Sequence, residues 1–445
     1  MNEEQTEVYY NFLMDVLQAV AESVVADHTN LNSVYSLLGE NLDKLDENLG
    51  LVLEEWASQI LSTLTPELSP GVAEVIFEFS SCIAQLSLGN KSHNLEIAIV
   101  GNKSILKVYT CELFPEDWAK TQYNLGCAYR ERIEGDKADN LEQGIIYYTE
   151  ALQVYTREAF PLYWAMTQNN LGNAYSERIN GDKADNLELA IAAYTQALQV
   201  YTCESFPEEW ADIQLKLGNA YIERIKGDKL ENIELAIDTY NQALQIQTHE
   251  AFPEQWAGTQ NNLGVAYTKG IKVNKSDNTE LAITAFQNSL RTHTREAFPE
   301  QWAGTQRNLG NLYSNHIEGD KADNLEFAIV AYTQALEVQT REAFPQDWAK
   351  TQHNLGLAYK QRIKGKKADN LEVAIIAFQN ALQIHTLKTF PFDCLQSSQN
   401  LGDLALKLGN WLLAIDAYEL AIESIEITRN WAKTDKRRQE ILAES

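Results

Sequence analysis

Apolar residues in this chain return at fixed distances. The pair Phe-Pro stands at 114, 160, 206, 252, 298, 344 and 390, each pair 46 residues after the last. Trp follows the Phe by four residues in six of the seven, from Trp118 to Trp348, and Cys394 takes its place in the seventh. Leu-Gly comes next, from Leu125-Gly126 to Leu401-Gly402, and a Tyr lies three residues past each Gly from Tyr129 to Tyr359. A period of this size marks stacked supersecondary units, each burying its apolar face on its neighbours.

Within one repeat the apolar positions fall at three- and four-residue steps, which predicts two helices. The first starts at Phe-Pro, because Pro suits the first helical position, where its missing N–H would go unpaired anyway. Phe and Trp at i and i+4 are spaced for a hydrophobic staple. Trp118, Leu125 and Tyr129 lie near one stripe, and the helix is expected to run out near Gly135. The second helix is expected from Asp139-Asn140-Leu141-Glu142, with an Asx cap and an early Glu at the positive helix end. Its buried side would carry Ile145, Tyr148, Ala151 and Leu152. Small residues at Ala190, Ala236, Ala282, Ala328 and Ala374, and at Ala197, Ala243, Ser289, Ala335 and Ala381, mark where helices approach. The Gly-Asp-Lys-Ala-Asp-Asn segment at 135–140, 181–186 and 319–324 is rich in oxygens. Calcium needs about six or more oxygen ligands, and this segment puts a Lys at its centre, so it reads as a turn and cap.

Leu171-Gly172-Asn173-Ala174-Tyr175 and the later Ala190…Tyr194…Ala197 resemble the tetratricopeptide repeat, TPR. That family's usual unit is about 34 residues. Here the Gly172-to-Ala190 stretch and the return from Ala197 are each lengthened, giving a variant with longer helices and a longer internal turn. The FPxxWAxTQxNLGxAY form also resembles multi-repeat cyanobacterial proteins that are often fused to a caspase-like CHAT protease domain, a fusion not seen here. The resemblance implies an all-α, right-handed TPR-like α-solenoid with N-terminal helices and a C-terminal capping helix.

The 46-residue ruler divides the chain. Residues 114–389 are six repeats, and 68–113 are a degenerate first repeat in which Asn94-Leu95-Glu96 matches Asn140-Leu141-Glu142. Residues 390–428 are a shorter last repeat, with Ala414, Tyr418 and Ala421 at ordinary tetratricopeptide spacing. Residues 429–445, with Lys433, Lys436, Arg437 and Arg438, read as a capping helix with a basic last turn. Residues 1–67 carry one basic residue, Lys44. Leu31, Val34, Leu38, Leu42, Leu45, Leu49, Leu53, Trp56 and Ile60 predict amphipathic helix there. This acidic segment is either a cap or a docking and self-association element.

Charge narrows the partners. With 36 Lys and Arg against 63 Asp and Glu the formal charge is −27. Such a chain repels phosphate backbones and anionic lipid, so neither nucleic acid nor membrane is an expected partner. No apolar run reaches the ~18 residues of a membrane span, and MNEEQTEVYY lacks the pattern of a secretory leader. The five Cys are odd in number and widely spaced, which predicts reduced thiols and a cytoplasmic setting. There is no GxSxG, Walker loop, HExxH or Gly-rich phosphate loop, and the seven His do not recur in register with a Cys. The expectation is a non-enzyme without cofactor or metal.

One polar column stands out beside the core: Asn124, Asn170, Asn262, Asn308, Asn354 and Asn400, each just before Leu-Gly, with Lys216 the exception. In tetratricopeptide proteins the matching position faces the concave groove and bonds the backbone of a bound peptide, an amide being both donor and acceptor. These residues are therefore candidate peptide-binding side chains; otherwise they bond neighbouring helices. Candidate specificity residues flank them: Tyr123, Asn169, Asn261, Arg307 and His353 on one side, Asn173, Asn219 and Asn311 on the other. They vary between repeats, which is expected of a surface free of packing constraint. The function predicted is a protein-binding scaffold or adaptor for a peptide or partner protein. The alternative is a regulatory or sensor subunit for a separately encoded effector such as a CHAT-like protease.

Overall fold

The computed structural model describes residues 1–26, 31–270, 275–315 and 320–431. Among these residues the regular structure is all helical, with no strand. Contacts divide the chain into two compact halves, Met1–Tyr201 and Thr202–Ser445.

The N-terminal half opens with α1 (Glu3–Val25), α2 (Asn32–Glu40) and α3 (Glu47–Thr63). It continues with the pairs α4 (Ser69–Gln85) and α5 (Lys91–Ile105), α6 (Pro115–Glu131) and α7 (Lys137–Ala151), and α8 (Pro161–Glu177) and α9 (Lys183–Ala197). The C-terminal half holds α10 (Pro207–Glu223) with α11 (Lys229–Ala243), α12 (Pro253–Gly270) with α13 (Lys275–Thr292), and α14 (Pro299–Asn315) with α15 (Lys321–Leu336). After these come α16 (Pro345–Gln361) with α17 (Lys367–Leu382), and α18 (Pro391–Lys407) with α19 (Trp411–Trp431).

The helices of each pair run antiparallel, and from α6–α7 onward the pair closes on its Leu-Gly glycine; in α4–α5 the roles are exchanged, Gly101 of the second helix meeting Ser80 of the first. A Cβ at Gly126 would lie 2.6 Å from the Tyr148 ring, whereas one at Gly144 would meet the backbone of Gly126 and Arg130. Positions thus rise along α6 as they fall along α7. The same contact recurs at Gly172 on Tyr194, Gly218 on Tyr240, Gly264 on Phe286 and Gly310 on Tyr332. The Ala columns fulfil the expected close approach: Ala190, Ala236, Ala282, Ala328 and Ala374 are each fully buried.

Several local expectations need correcting. Phe114 is itself the N-cap residue, one position too late for the staple. Its Trp neighbour is mostly half-buried, and the fully buried residue is the next one, Ala119, Ala165, Ala211, Ala257, Ala303 or Ala349. The second helix begins earlier than its Asx motif suggests. Asp136 caps α7 by accepting from the Asp139 N–H, after Gly135 turns the chain at φ 82°. Asn140 is instead a buried clasp: its Nδ2 donates to the Glu134 carbonyl at 2.8 Å and its Oδ1 accepts from Arg132 Nη1 at 3.2 Å. A carboxamide meets both demands where a carboxylate could not donate.

The acidic N-terminal segment is broken at Asn41–Asp46, where Asp46 caps α3 by accepting from the N–H groups of Asn48 and Leu49. Leu42 falls in that break and is exposed. The remaining apolar faces bury one another: Phe12, Leu13 and Val16 of α1 and Val34 and Leu38 of α2 meet Leu49 and Leu53 of α3, with Phe79 of α4 and Ile97 of α5 beneath. At the other end α19 runs unbroken to Trp431. The rest of the predicted capping helix, with Lys433, Lys436, Arg437 and Arg438, lies outside the described residues. Among the described residues no helix is long and apolar enough to cross a membrane.

Candidate functional site

The Asn column lies on the first helices of the repeats, where each carboxamide is already engaged. Asn124 Nδ2 donates to Ser81 Oγ at 3.2 Å, and Asn170 Nδ2 to the Tyr123 hydroxyl at 2.9 Å. Asn262 donates to Asn219 Oδ1 at 3.0 Å, Asn308 to Asn261 Oδ1 at 3.2 Å, and Asn354 to Asn311 Oδ1 at 2.8 Å. Asn400 turns back to the Gln396 carbonyl and accepts from Lys360 Nζ. The first five tie a first helix to the one before it.

The flanking positions are not free of packing, contrary to expectation. Asn173 Oδ1 accepts from the Tyr194 hydroxyl at 2.9 Å, Asn219 from Tyr240 at 2.8 Å and Asn311 from Tyr332 at 2.8 Å. Where the second helix carries Phe286 or Phe378 in place of Tyr, this position is Val265 or Leu357. Asp403 serves Tyr418 in the last repeat. From the second 46-residue repeat on, the variation follows the hydroxyl to be satisfied, because a buried polar group without a partner costs about 1–3 kcal/mol. In the first, Cys127 holds this position and the buried Tyr148 hydroxyl has no hydrogen-bond partner among the described residues. This matched pattern is legible in the sequence as two columns that change together, although spacing within one repeat does not pair them. Tyr123 packs on Tyr148 with ring centroids 6.0 Å apart, Asn169 is half-buried on α8, and Arg307 pairs with Asp347.

His353 faces a neighbouring repeat. Its Nδ1 lies 2.8 Å from Ser397 Oγ, which His385 Nδ1 also approaches at 3.4 Å. Burial holds the His353 pKa down to about 4, and the nearby His385 and Lys360 add to the effect. The imidazole is therefore neutral near pH 7.

A second ladder was not foreseen. Arg132, Arg178 and Arg362, each just past a first helix, chelate Glu96, Glu142 and Glu326 of the preceding second helix, 36 residues back. Its signal was an Arg column and a Glu column recurring with the repeat; Gly270, His316 and Leu408 interrupt the Arg column.

The first-helix face opens into clefts. In the N-terminal half one of about 350 Å³ is lined by Tyr123, Asn124 and Cys127 together with residues of α4 and α5. In the C-terminal half a larger one, about 630 Å³, gathers Asn261, Asn262, Arg307 and Asn308 from α12 and α14. The second cleft thus brings together two of the Asn column and two of the flanking positions. Among the described residues no group of three His, Cys, Asp or Glu side chains is placed to hold a metal ion. All five Cys are free thiols.

Tandem antiparallel helix pairs closed by Leu-Gly on an aromatic ring define a tetratricopeptide-like helical repeat protein. No family model and no curated protein matches the sequence. Among solved structures, BtubC (BKLC) from P. vanneervenii is similar at 21% identity, covering 55% of this chain and 91% of that one, with a TM-score of 0.41. The Rap conjugation gene regulator of plasmid pLS20, in complex with the Phr* peptide, is similar at 15% identity over 86% and 95% of the two chains, TM-score 0.42. The P58(IPK) TPR domain is similar at 14% identity over 89% and 98%, TM-score 0.30. The helix pairs themselves, rather than these likenesses, carry the fold.

Proposed function

We propose that this protein is a non-catalytic binding scaffold whose first-helix face holds an extended segment of a partner protein. The observation that carries the reading is the cleft of the C-terminal half, where Asn261, Asn262 and Asn308 meet on adjacent first helices. Carboxamides that bond one another can open to a peptide backbone at modest net cost, because each hydrogen bond given up is replaced by another. In this reading residues 1–67 are a cap, since their apolar faces are spent on one another and on α4 and α5. The six 46-residue repeats, the worn first repeat and the shorter last one make the scaffold, and the acidic surface favours a basic partner in the cytoplasm over nucleic acid or membrane.

The test is the paired change Asn262→Ala and Asn308→Ala. Partner binding is expected to weaken by roughly tenfold, about 1.4 kcal/mol, with the helical circular dichroism and melting point kept. Unchanged affinity would show that these amides only join helices. A regulatory subunit for a separately encoded effector, such as a CHAT-like protease, would use the same face; an effector that copurifies and whose activity changes on binding would favour that version.

A further inference from the structure

In each of α12 and α14, two glycines six residues apart are of opposite kind. Gly264 and Gly310 are demanded by packing, since a Cβ there would lie 2.7 Å from the Phe286 ring and 2.6 Å from the Tyr332 ring. Gly258 and Gly304 are not: a Cβ at either would meet nothing within 4 Å. Both sit inside helices, where Gly is less favourable than Ala by about 0.5–1 kcal/mol. The corresponding positions of other repeats carry Lys120, Met166, Asp212, Lys350 and Gln396, so the helix tolerates a long side chain at this register. What the two glycines do is leave space, and that space is the 630 Å³ cleft, which both of them line.

The cleft has a defined polar character. Its buried lining includes Thr305, His293 and Gln339, which are 1%, 4% and 3% exposed. Thr305 Oγ1 and Asn308 Nδ2 both donate to Asn261 Oδ1 at 3.2 Å, fixing that floor. Of its charged groups, Arg307 is paired with Asp347, while Glu254 and Glu300 have no ion-pair partner among the described residues. Burial keeps the His293 pKa below its ordinary value, so this imidazole adds no cation near pH 7. Three carboxylates face one guanidinium, and the field in the cleft is negative.

We propose that the gap left by Gly258 and Gly304 is a specificity pocket for a Lys or Arg side chain of the bound segment, received by Glu254 and Glu300. The assignment rests on the first-helix face being the binding face, and it adds what is bound there. The carboxamides of Asn261, Asn262 and Asn308 take the segment's backbone, and the two carboxylates take its basic head.

A random peptide library displayed against the full-length protein tests this. Recovered peptides are expected to share a Lys or Arg at one fixed position. The double variant Gly258→Lys/Gly304→Lys fills the gap with the residue found at Lys120 and Lys350. It is expected to lose more than roughly tenfold in affinity for a recovered peptide while melting no lower than the parent. The isosteric pair Glu254→Gln/Glu300→Gln is expected to lose roughly fivefold and to flatten the salt dependence of binding. Recovered peptides with no basic residue in common, or filled variants that bind like the parent, would overturn the pocket and leave the binding face standing. Recovery of no peptide at all would overturn both.

Discussion

At the scale of single residues, glycine does two jobs here, and measurements can separate them. Gly310 lies under the Tyr332 ring, and a methyl group there forces the ring or the helix to move. Gly310→Ala is expected to lose about 1–3 kcal/mol of stability by overpacking. Gly304, six residues earlier on the same helix, has open space before it, so Gly304→Ala is expected to gain about 0.5–1 kcal/mol. Chemical denaturation of the two variants checks the contrast; a shared sign would show that the two sites do not differ as described. The Asn residues divide in the same way. Asn140, Asn186, Asn232 and Asn370 are buried in the first turn of the second helix and clasp the loop before it, whereas Asn262 and Asn308 lie on the first-helix face with their amides half-exposed or exposed. Periodicity makes both columns visible and does not distinguish them, because both recur every 46 residues.

At the scale of the elements, the link between α16 and α18 has a pH dependence with a definite sign. His353 on α16 reaches Ser397 on α18, with His385 beside them, and its pKa is lowered from 6.5 to about 4. Above pH 6.5 the imidazole is neutral whether the chain is folded or not, so no penalty applies. As the pH falls from 6.5 towards 4 the unfolded chain takes up a proton that the folded one refuses, and stability is lost across that window. The loss at His353 is at most about 3 kcal/mol, and it is complete below the folded pKa. Urea midpoints measured between pH 7.5 and 4 should fall for the parent and fall less steeply for His353→Gln. Equal slopes would remove His353 from the account. His385 contributes in the same direction, since burial lowers its pKa too, while Asp393 opposes the shift. Periodicity alone puts His353 on a variable surface column, so neither its burial nor its Ser397 contact is legible in the sequence.

At the scale of the whole molecule, a repeat array is stabilised chiefly by nearest-neighbour contacts, so its weak points are the joints with fewest of them. The chelating Arg–Glu clamp joins repeats at Arg132, Arg178 and Arg362, and Gly270 stands where α12 would supply it. A bidentate, charge-assisted pair of this exposure contributes about 1 kcal/mol or less. Amide hydrogen exchange is expected to be faster in α12 and α13 than in α16 and α17, which keep their clamp. Uniform protection along the C-terminal half would show that the clamp adds nothing to the joint. The same stretch carries Gly258 and Gly304, so the proposed pocket lies beside a joint where Gly270 replaces the clamp's Arg.

The sequence by itself determined the helix pair, its 46-residue recurrence and most of its core. Those features depend on spacing along one chain: Leu-Gly, the Ala columns and the Phe-Pro start are set by helical periodicity and by local backbone chemistry. It also held the matched pairing of Asn or Asp with Tyr, and of Val or Leu with Phe, although that pairing makes sense only once the two positions are known to touch. The tertiary structure decided what periodicity leaves open, namely the direction and partner of each polar side chain. It turned the capping Asn into a buried clasp and the variable column into hydrogen-bond partners for Tyr. It also found the Arg–Glu clamp, and it divided identical-looking glycines into those that a ring presses upon and those that border open space. The reason is physical: a helix fixes which residues share a face, but whether that face meets a ring, a carboxylate or a cleft depends on chain 21 to 47 residues away.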